Sequence, residues 1–292
     1  MTITTNAVNK CVGLLASGQP IYYTSVEDRG YEGGRAAAHT WADYINYEME
    51  HAPFDVSQLL AFMRGLAEAG PTRSGHRTPA VIVTLPCHGI DEQTFRANAW
   101  MVQQVLATGI HGILLCHAES PQAVKAFVES TRYPFAERRG LEVGRRGSGG
   151  QAEAAAIWGL PVQEYLRVAD PWPLNPDGQL LLGLKIENVR ALANVEQTLA
   201  VPGIAFAEWG PGDMGMSMGF PDAHDPPYPT EMQAARNRVL AACKENKIAF
   251  LEMVSPENVV EQIQAGVMVG AGRNAAAAAE IGRKHTKRPE PW

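Results

Sequence analysis

Leu184-Lys185-Ile186-Glu187-Asn188, with Trp209-Gly210-Pro211-Gly212-Asp213-Met214-Gly215 further along the chain, is the stretch that decides the predicted fold. Each part continues an apolar run, from Leu180 and from Gly203 respectively, and each is predicted to be a β-strand with a polar tip. A carboxylate at the C-terminal end of a parallel strand usually lies in an active site. Carboxylates on two neighbouring strands would offer hard oxygen ligands to Mg²⁺, Mn²⁺ or a similar ion.

Apolar strand-like segments alternate with helical segments along the whole chain. Strands are predicted near Ile21, at 42–48, 80–85 and 112–116, from Leu180, at Ile204, and at 248–253 and 267–269. Helices are predicted at 56–69, 91–107, 120–131, 189–199, 230–246, 256–265 and 274–284. This alternation implies an α/β protein with a parallel sheet and right-handed crossovers. About eight such units fit a single (β/α)8 TIM barrel domain over residues 1–292, and an open doubly wound sheet is the alternative.

One segment, residues 137–178, interrupts this rhythm and is too long for an ordinary connection. It contains four arginines, a Gly-Ser-Gly-Gly stretch and a proline-rich end. Two interpretations remain open. The segment is either a surface loop excursion or a lid that contacts substrate at the mouth of the barrel.

Composition excludes several classes of protein. Of the 292 residues, 46% are hydrophobic and 19% charged, which is typical of a globular chain, and the net charge of -6 gives no reason to expect nucleic-acid binding. The four cysteines form no CxxC pair, which favours a reducing cytoplasmic location over a disulfide framework. No apolar run approaches the roughly 20 residues of a membrane helix. We therefore expect a cytoplasmic protein whose partner is a small molecule.

Several motifs occur in an order that resembles a known family. They are Glu48-Met49-Glu50-His51-Ala52-Pro53-Phe54-Asp55, Ser130-Thr131-Arg132-Tyr133-Pro134, Lys185-Ile186-Glu187, and the segment from Gly210 to Gly219. Together they resemble the metal-dependent aldolases of the 4-hydroxy-2-oxoheptanedioate and 2-dehydro-3-deoxyglucarate type, within the aldolase/citrate lyase family. The resemblance runs from about Cys11 to Lys284. It implies a (β/α)8 barrel and homo-oligomers, usually hexamers built from dimers that exchange their C-terminal helix.

The resemblance also implies roles for individual residues. Glu187 and Asp213 match the two ligands of a divalent metal ion such as Mg²⁺, Mn²⁺ or Co²⁺. The backbone N–H groups of Gly212 and Asp213 match those that hold the substrate carboxylate at a helix start, which suits an anion. His51 matches the catalytic base, which works through water, and Glu48 stands where the residue that orients this histidine is usually found.

The chain departs from the family pattern in the predicted substrate site. Thr84 stands where the family has an arginine that stabilises the enolate, and Lys185 stands where it usually has glutamine. Because strand side chains alternate, Lys185 and Glu187 share a face, so the missing charge is predicted to have moved to Lys185 as a catalytic residue. Thr84 and His117 are predicted to contact substrate. A purely structural role is the alternative for His117, and also for His88.

Aldol chemistry explains why these residue types are needed together. Retro-aldol cleavage removes a proton from a hydroxyl group and needs an electron sink for the resulting enolate. A divalent ion chelated by a 2-oxo acid is such a sink, because it acts as a Lewis acid. The prediction is therefore a metal-dependent carbon–carbon lyase acting on a 2-oxo acid or a related hydroxy-carbonyl compound. Two alternatives remain: a divergent enzyme that uses the metal and His51 for hydrolysis or isomerisation, and a non-catalytic binding protein.

Overall fold

Eight parallel strands close into a barrel in the computed structural model, which describes residues 8–290. The strands are β1 (Ile21–Ser25), β2 (Tyr44–Glu48), β3 (Ala80–His88), β4 (Gly112–Cys116), a two-residue β5 (Pro171–Trp172), β6 (Leu180–Ile186), β7 (Phe206–Trp209), β8 (Ala249–Met253) and β9 (Val267–Ala271). The order is β4-β3-β2-β1-β9-β8-β7-β6, and pairing of β4 with β6 closes the ring. The short β5 pairs in parallel with the first residues of β6 and is not one of the eight barrel strands. The predicted (β/α)8 barrel is confirmed, and the open-sheet alternative is wrong.

The helices surround this barrel. They are α1 (Lys10–Ala16), α2 (Tyr31–Ala37), α3 (Val56–Ala69), α4 (Glu92–Asn98), α5 (Trp100–Ala107), α6 (Pro121–Thr131), α7 (Gln151–Trp158), α8 (Val162–Val168), α9 (Val189–Ala193), α10 (Val195–Leu199), α11 (Pro211–Met218), α12 (Thr230–Asn246), α13 (Val259–Ala265) and α14 (Ala275–His285). Side chains of Asp55, Asp91, Ser120 and Asn188 cap the helices that follow them by accepting backbone N–H bonds. Within residues 8–290, no helix combines the length and the apolarity needed to cross a bilayer.

Side chains point alternately outward and inward along each strand, so the core has one layer between the barrel and the helices and another inside the barrel. Outward residues such as Val81 and Val83 pack under the helices, whereas Ile82 faces the barrel interior with Leu114 and Leu181. Towards the C-terminal ends of the strands the inward positions become polar. These polar inward residues include Asn46, Glu48, Thr84, Lys185 and Glu208. The barrel therefore has an apolar floor and a charged mouth.

The segment 137–178 is not a loop throughout, because it contains α7, α8 and β5. Trp158 of α7 stacks on His111, which precedes β4, and its indole N–H donates to the Gly109 carbonyl at 2.8 Å. Both contacts lie at the N-terminal ends of the strands, opposite the mouth. The prediction of a long loop excursion is corrected in this respect, and these contacts do not support the lid interpretation.

The last helix, α14, packs on its own barrel against α13, β1 and β9 in the single chain. Its Gly282 permits this approach, since a Cβ atom there would lie 1.9 Å from the Tyr22 hydroxyl oxygen. The predicted exchange of this helix between subunits remains a prediction.

Candidate active site

Charged side chains from three strands and the turns that follow them meet at the mouth of the barrel, and Lys185 lies at their centre. Its Nζ atom is 2.5 Å from Glu50 Oε2 and 3.4 Å from Glu187 Oε2, and only 12% of the side chain is exposed. Burial acts to lower the pKa of Lys185, but the negative charges of Glu208 and Glu187 outweigh burial and raise that pKa above its usual range. Lys185 is therefore a permanent ammonium group.

Glu187 lies beside this ammonium, and its two oxygens differ in their surroundings. Oε1 accepts a hydrogen bond from the backbone N–H of His117 at 2.7 Å, whereas the buried Oε2 has no hydrogen-bond partner. Burial raises the pKa of Glu187, although the charge of Lys185 opposes the rise. A Cβ atom on Gly210 would lie 2.7 Å from the Glu187 Cβ, so glycine is required there to leave the carboxylate in place.

His51 follows β2 at the rim, where 68% of its side chain is exposed. Its Nδ1 atom is 3.7 Å from Glu48 Oε1 and 3.7 Å from Glu50 Oε2. Glu48 Oε1 also accepts the backbone N–H groups of Glu50 and His51, so it holds the turn that carries the imidazole. The structure thus brings the predicted base and its predicted orienting residue together.

Thr84, which was predicted to contact substrate, lies below the surface of the mouth. It is completely buried, and its hydroxyl donates to Asn46 Oδ1 at 2.8 Å on the neighbouring strand. Cys116, the last residue of β4, is also buried; its thiol donates to the Leu85 carbonyl at 3.1 Å, and burial raises its pKa above the usual range. Thr84 supplies no positive charge to the mouth, and the raised pKa of Cys116 disfavours the thiolate that a nucleophile requires.

His117 and His88 stand side by side at the ends of β4 and β3, with ring centroids 4.4 Å apart and the rings edge to face. His117 Nε2 is 3.9 Å from Glu50 Oε1, so this imidazole faces the same mouth as Lys185. Burial and the neighbouring His117 lower the pKa of His88. The structure therefore joins His117 to the predicted site.

Asp213 lies in the first turn of α11, whose N-cap residue is Gly210 and whose first residue is Pro211. The His224 ring lies close to Gly212, the residue before Asp213: a Cβ atom on Gly212 would lie 3.0 Å from His224 Cδ2. In the described part of the chain, Asp213 belongs to none of the groups of three possible ligands that lie close enough to share an ion. The pairing of Asp213 with Glu187 on a metal stays a prediction.

Sequence reasoning assigned no role to two carboxylates of this site. Glu50 forms the short ion pair with Lys185, and Glu208 on β7 is the register partner of Lys185 on β6. Burial raises the pKa of Glu208 to about 7, and the charges of Glu187 and Glu50 add to this rise against the opposing effect of Lys185. The sequence did contain a signal for Glu208: it stands two positions after Phe206, which faces the barrel interior, and side chains two positions apart on a strand share a face.

The donor set fits a divalent cation. Glu48, Glu50, Glu187 and Glu208 surround the single charge of Lys185, which leaves an excess of negative charge in a partly buried site. The Oε2 atom of Glu187 accepts no hydrogen bond and has only the ammonium of Lys185 nearby, at 3.4 Å, so this oxygen can serve as a ligand. The groups of three possible ligands among residues 8–290 are Glu50 with His88 and His117, Glu48 with Glu50 and His51, and Glu50 with Cys116 and Glu187.

Comparison with known proteins places this site in a family. The family description HpcH/HpaI aldolase/citrate lyase matches residues 34–273. The chain belongs to the HpcH/HpaI aldolase/citrate lyase family. As a member of this family it is an enzyme of the aldolase/lyase class, which confirms the predicted metal-dependent carbon–carbon lyase and gives no support to hydrolysis or isomerisation.

Individual relatives agree with this assignment. The chain is 28% identical over 214 residues to a hydroxypyruvate/pyruvate aldolase of Paraburkholderia phytofirmans, covering 73% of this chain and 71% of that protein. It is 30% identical over 199 residues to the Pseudomonas aeruginosa protein of the same name, covering 68% and 61%. It is 28% identical over 209 residues to a 2-keto-3-deoxy-L-rhamnonate aldolase of Klebsiella pneumoniae, covering 71% and 66%.

Solved structures share the fold of this HpcH/HpaI family member. A family protein of Burkholderia cenocepacia superposes with a TM-score of 0.71 at 23% identity, covering 96% of this chain and 98% of that one. A citrate lyase beta subunit of M. tuberculosis, complexed with oxaloacetate and magnesium, gives a TM-score of 0.55 at 14% identity, covering 94% and 100%. At these identities the likeness concerns the barrel alone.

Proposed function

We propose that this enzyme cleaves or forms the carbon–carbon bond between the α-carbon and the hydroxyl-bearing β-carbon of a hydroxylated 2-oxo acid, with a divalent ion as cofactor. The observation that carries the proposal is the group of carboxylates around Lys185 at the C-terminal ends of the barrel strands. The names of the relatives, hydroxypyruvate/pyruvate aldolase and 2-keto-3-deoxy-L-rhamnonate aldolase, support 2-oxo acids as the substrate class.

Glu187 and Asp213 are the proposed ligands, and Mg²⁺, Mn²⁺ or Co²⁺ the proposed ion. The buried Oε2 of Glu187 and the excess of carboxylates support an oxygen-preferring cation. When bound, such an ion supplies Lewis-acid polarisation of the 2-oxo acid. The backbone N–H groups of Gly212 and Asp213, at the start of α11, are proposed to hold the substrate carboxylate.

His51 is the proposed base, which takes the proton of the substrate hydroxyl through a water molecule. Its exposure at the rim leaves room for that water, and the carboxylates of Glu48 and Glu50 lie 3.7 Å from Nδ1, where they can orient the ring. Lys185 is the proposed source of positive charge near the developing oxyanion, in place of the arginine replaced by Thr84. Because an ammonium is a compact point charge, it selects a substrate geometry different from that of an arginine fork.

We also propose a cytoplasmic hexamer built from dimers. Four buried free cysteines and the alanine-rich α14 support this assignment. Light scattering at micromolar concentration is expected to give the mass of a hexamer, and a monomer would contradict the assembly without affecting the proposed reaction.

A substrate screen tests the reaction. The purified protein is incubated with 2-oxo-acid donors, aldehydes and Mg²⁺, Mn²⁺ or Co²⁺, and the products are identified by mass spectrometry. A lyase yields addition products in one direction and two carbon fragments in the other. A product that has only gained water, or equal turnover with excess chelator, would contradict the proposal.

A further inference from the structure

His117 is held in a backbone conformation that is costly for a residue with a side chain. Its φ angle is 44°, in the left-handed region. The flanking hydrogen bonds fix it there: His117 N donates to Glu187 Oε1 at 2.7 Å, Ala118 N donates to the Lys185 carbonyl at 3.1 Å, and Glu119 N donates to the His117 carbonyl at 2.8 Å. Strain of this kind, imposed by the surroundings, is typical of functional sites. The direction of the imidazole is therefore well defined.

Asn188 contacts this imidazole with an amide whose orientation is fixed. Its Oδ1 accepts the backbone N–H groups of Arg190 at 3.0 Å and Ala191 at 2.9 Å, which caps α9. The Nδ2 atom must then point the other way, where it lies 3.0 Å from Glu119 Oε1 and 3.2 Å from His117 Nδ1. One amide hydrogen is directed at each of these two atoms.

The amide decides which imidazole nitrogen carries the proton. An N–H group donated to His117 Nδ1 requires a lone pair there, so a neutral ring carries its hydrogen on Nε2. Glu187 Oε1, at 3.5 Å from Nδ1, is farther away than the amide and already accepts the backbone N–H of His117. The assignment follows from the hydrogen-bond network.

The Nε2–H group faces the mouth without a fixed acceptor. The nearest carboxylate atom that the structure pairs with it, Glu50 Oε1, is 3.9 Å away, which is too far for a hydrogen bond. Glu50 is instead engaged with Lys185 through its other oxygen. An N–H donor at this place is available to a substrate oxygen.

We propose that Asn188 acts as a positioning residue that holds His117 in the Nε2–H form, and that His117 thereby donates a hydrogen bond to a carbonyl or carboxylate oxygen of the substrate. This rests on the proposed function for the identity of the substrate, a 2-oxo acid. This donor compensates for the arginine of the family pattern, which Thr84 replaces and whose role Thr84 cannot fill, because its side chain is buried and bonded to Asn46. Lys185 is less able to compensate alone, because its ammonium is paired with two carboxylates.

The proposal also separates His117 from the metal. A histidine ligand needs a lone pair on the coordinating nitrogen, and Nε2 is the nitrogen that faces Glu50 and the mouth. With the proton on Nε2, His117 would offer no lone pair to an ion shared with Glu50 and His88, although the ligand atoms of these three residues lie within 4.8 Å of one another.

Nitrogen NMR of the full-length protein with ¹⁵N-labelled histidine tests the tautomer directly, with His117→Gln used to assign the signals. We expect a protonated Nε2 and an unprotonated Nδ1 for His117, both in chelator and with added Mg²⁺ or Zn²⁺. A protonated Nδ1, or an Nε2 signal shifted by direct coordination of Zn²⁺, would overturn the proposal.

A double variant, Glu119→Gln with Asn188→Asp, tests the role of Asn188. It exchanges the carboxylate and the amide, so the total charge, the cap of α9 and the bond between positions 188 and 119 are retained, while the group facing His117 Nδ1 becomes an acceptor. The ion pair between Glu119 and the exposed Arg190 is lost in this variant. The proton is expected to move to Nδ1, and kcat to fall about 10²-fold, as for the loss of one oxyanion donor. Asn188→Ser, which keeps a capping oxygen, is the second variant if the first does not fold.

Asn194→Ser is the matched control, because Asn194 also binds Glu119, at its backbone carbonyl, and has no contact with His117 in the structure. It should leave both the tautomer and kcat unchanged. A moved proton with an unchanged kcat would refute the role of His117 as a donor. Absence of lyase turnover in the wild type would instead refute the proposed function, and the tautomer measurement is independent of that result.

Discussion

Replacing Lys185 with glutamine is the perturbation for which the structure allows the most detailed prediction. The change removes the ammonium that neutralises Glu50 and Glu187. It introduces no steric clash, because glutamine is shorter than lysine. We expect two effects. The value of kcat falls roughly 10²-fold, the scale of losing one oxyanion donor, and the protein becomes less stable.

The size of the stability loss follows from burial. The exposed fractions of the side chains are 12% for Lys185 and 6% for Glu50, and removing one partner of a buried pair costs about 3–5 kcal/mol. A chain of 292 residues has an unfolding entropy of about 0.6 kcal/mol/K. The melting temperature in the absence of metal should therefore fall by about 5–8 °C at pH 7.

The pH dependence gives this prediction a second signature. Burial acts to raise the pKa of Glu50, but the hydrogen bond and the charge of Lys185 outweigh it and lower that pKa below 4.5. A carboxyl with a lowered folded pKa contributes stability that is present above its unfolded pKa and lost as the pH falls through the folded value. The deficit of Lys185→Gln should thus be largest near neutral pH and shrink below about pH 4.

Scanning calorimetry in chelator, at pH 7 and pH 4, measures the stability loss and its pH dependence. Lys125→Gln is the control, since Lys125 is 42% exposed and its ion pairs span 4.0 Å, so its removal should cost less than about 1 kcal/mol. Added Mg²⁺ should restore part of the deficit of Lys185→Gln by replacing the lost charge. Equal melting temperatures for Lys185→Gln and the wild type at pH 7 would refute the reasoning.

Three further predictions follow from the same site. Glu187→Ala should lose the bound metal, measured by elemental analysis, together with activity; full activity of the wild type in excess chelator would contradict a metal mechanism. His51→Ala should lower kcat by about 10²-fold with an unchanged circular dichroism spectrum, and an unaltered rate would redirect the search for the base. Glu208 has a pKa raised from 4.5 to about 7, so ionising it costs up to about 3 kcal/mol of stability as the pH rises through that range. Glu208→Gln should therefore raise the melting temperature at pH 8 and leave it unchanged at pH 4, and equal values at pH 8 would show that this cost is absent.

Local patterns in the sequence were sufficient for most elements of the fold. The predicted helices 56–69 and 230–246 coincide with α3 and α12, because an amphipathic run bounded by a cap or a turn is recognisable without tertiary information. The predicted helix 91–107 is divided at Ala99 into α4 and α5, which periodicity alone did not resolve. The alternation of strands and helices predicted a parallel α/β sheet, and the family resemblance favoured the closed barrel over the open doubly wound sheet.

The sequence also identified the strand tips that carry chemistry, since Glu187 and Lys185 end an apolar strand and His51 follows one. Motif order was enough to place the chain in its family. It did not identify Glu50 or Glu208 as members of the site. Glu50 lies in a turn, where a carboxylate is usually solvated, and Glu208 stands within a strand whose inward face is set by barrel closure.

Only the tertiary structure decided which groups meet. Glu50 and Lys185 are 135 positions apart in the chain, and they form an ion pair because β4 pairs with β6 and closes the ring. The side of the barrel to which residues 137–178 belong was decided in the same way, by Trp158 packing on His111. Local sequence determines periodicity and caps, which are short-range properties. Contacts across a closed barrel depend on how the whole sheet is completed, and no short stretch of sequence contains that information.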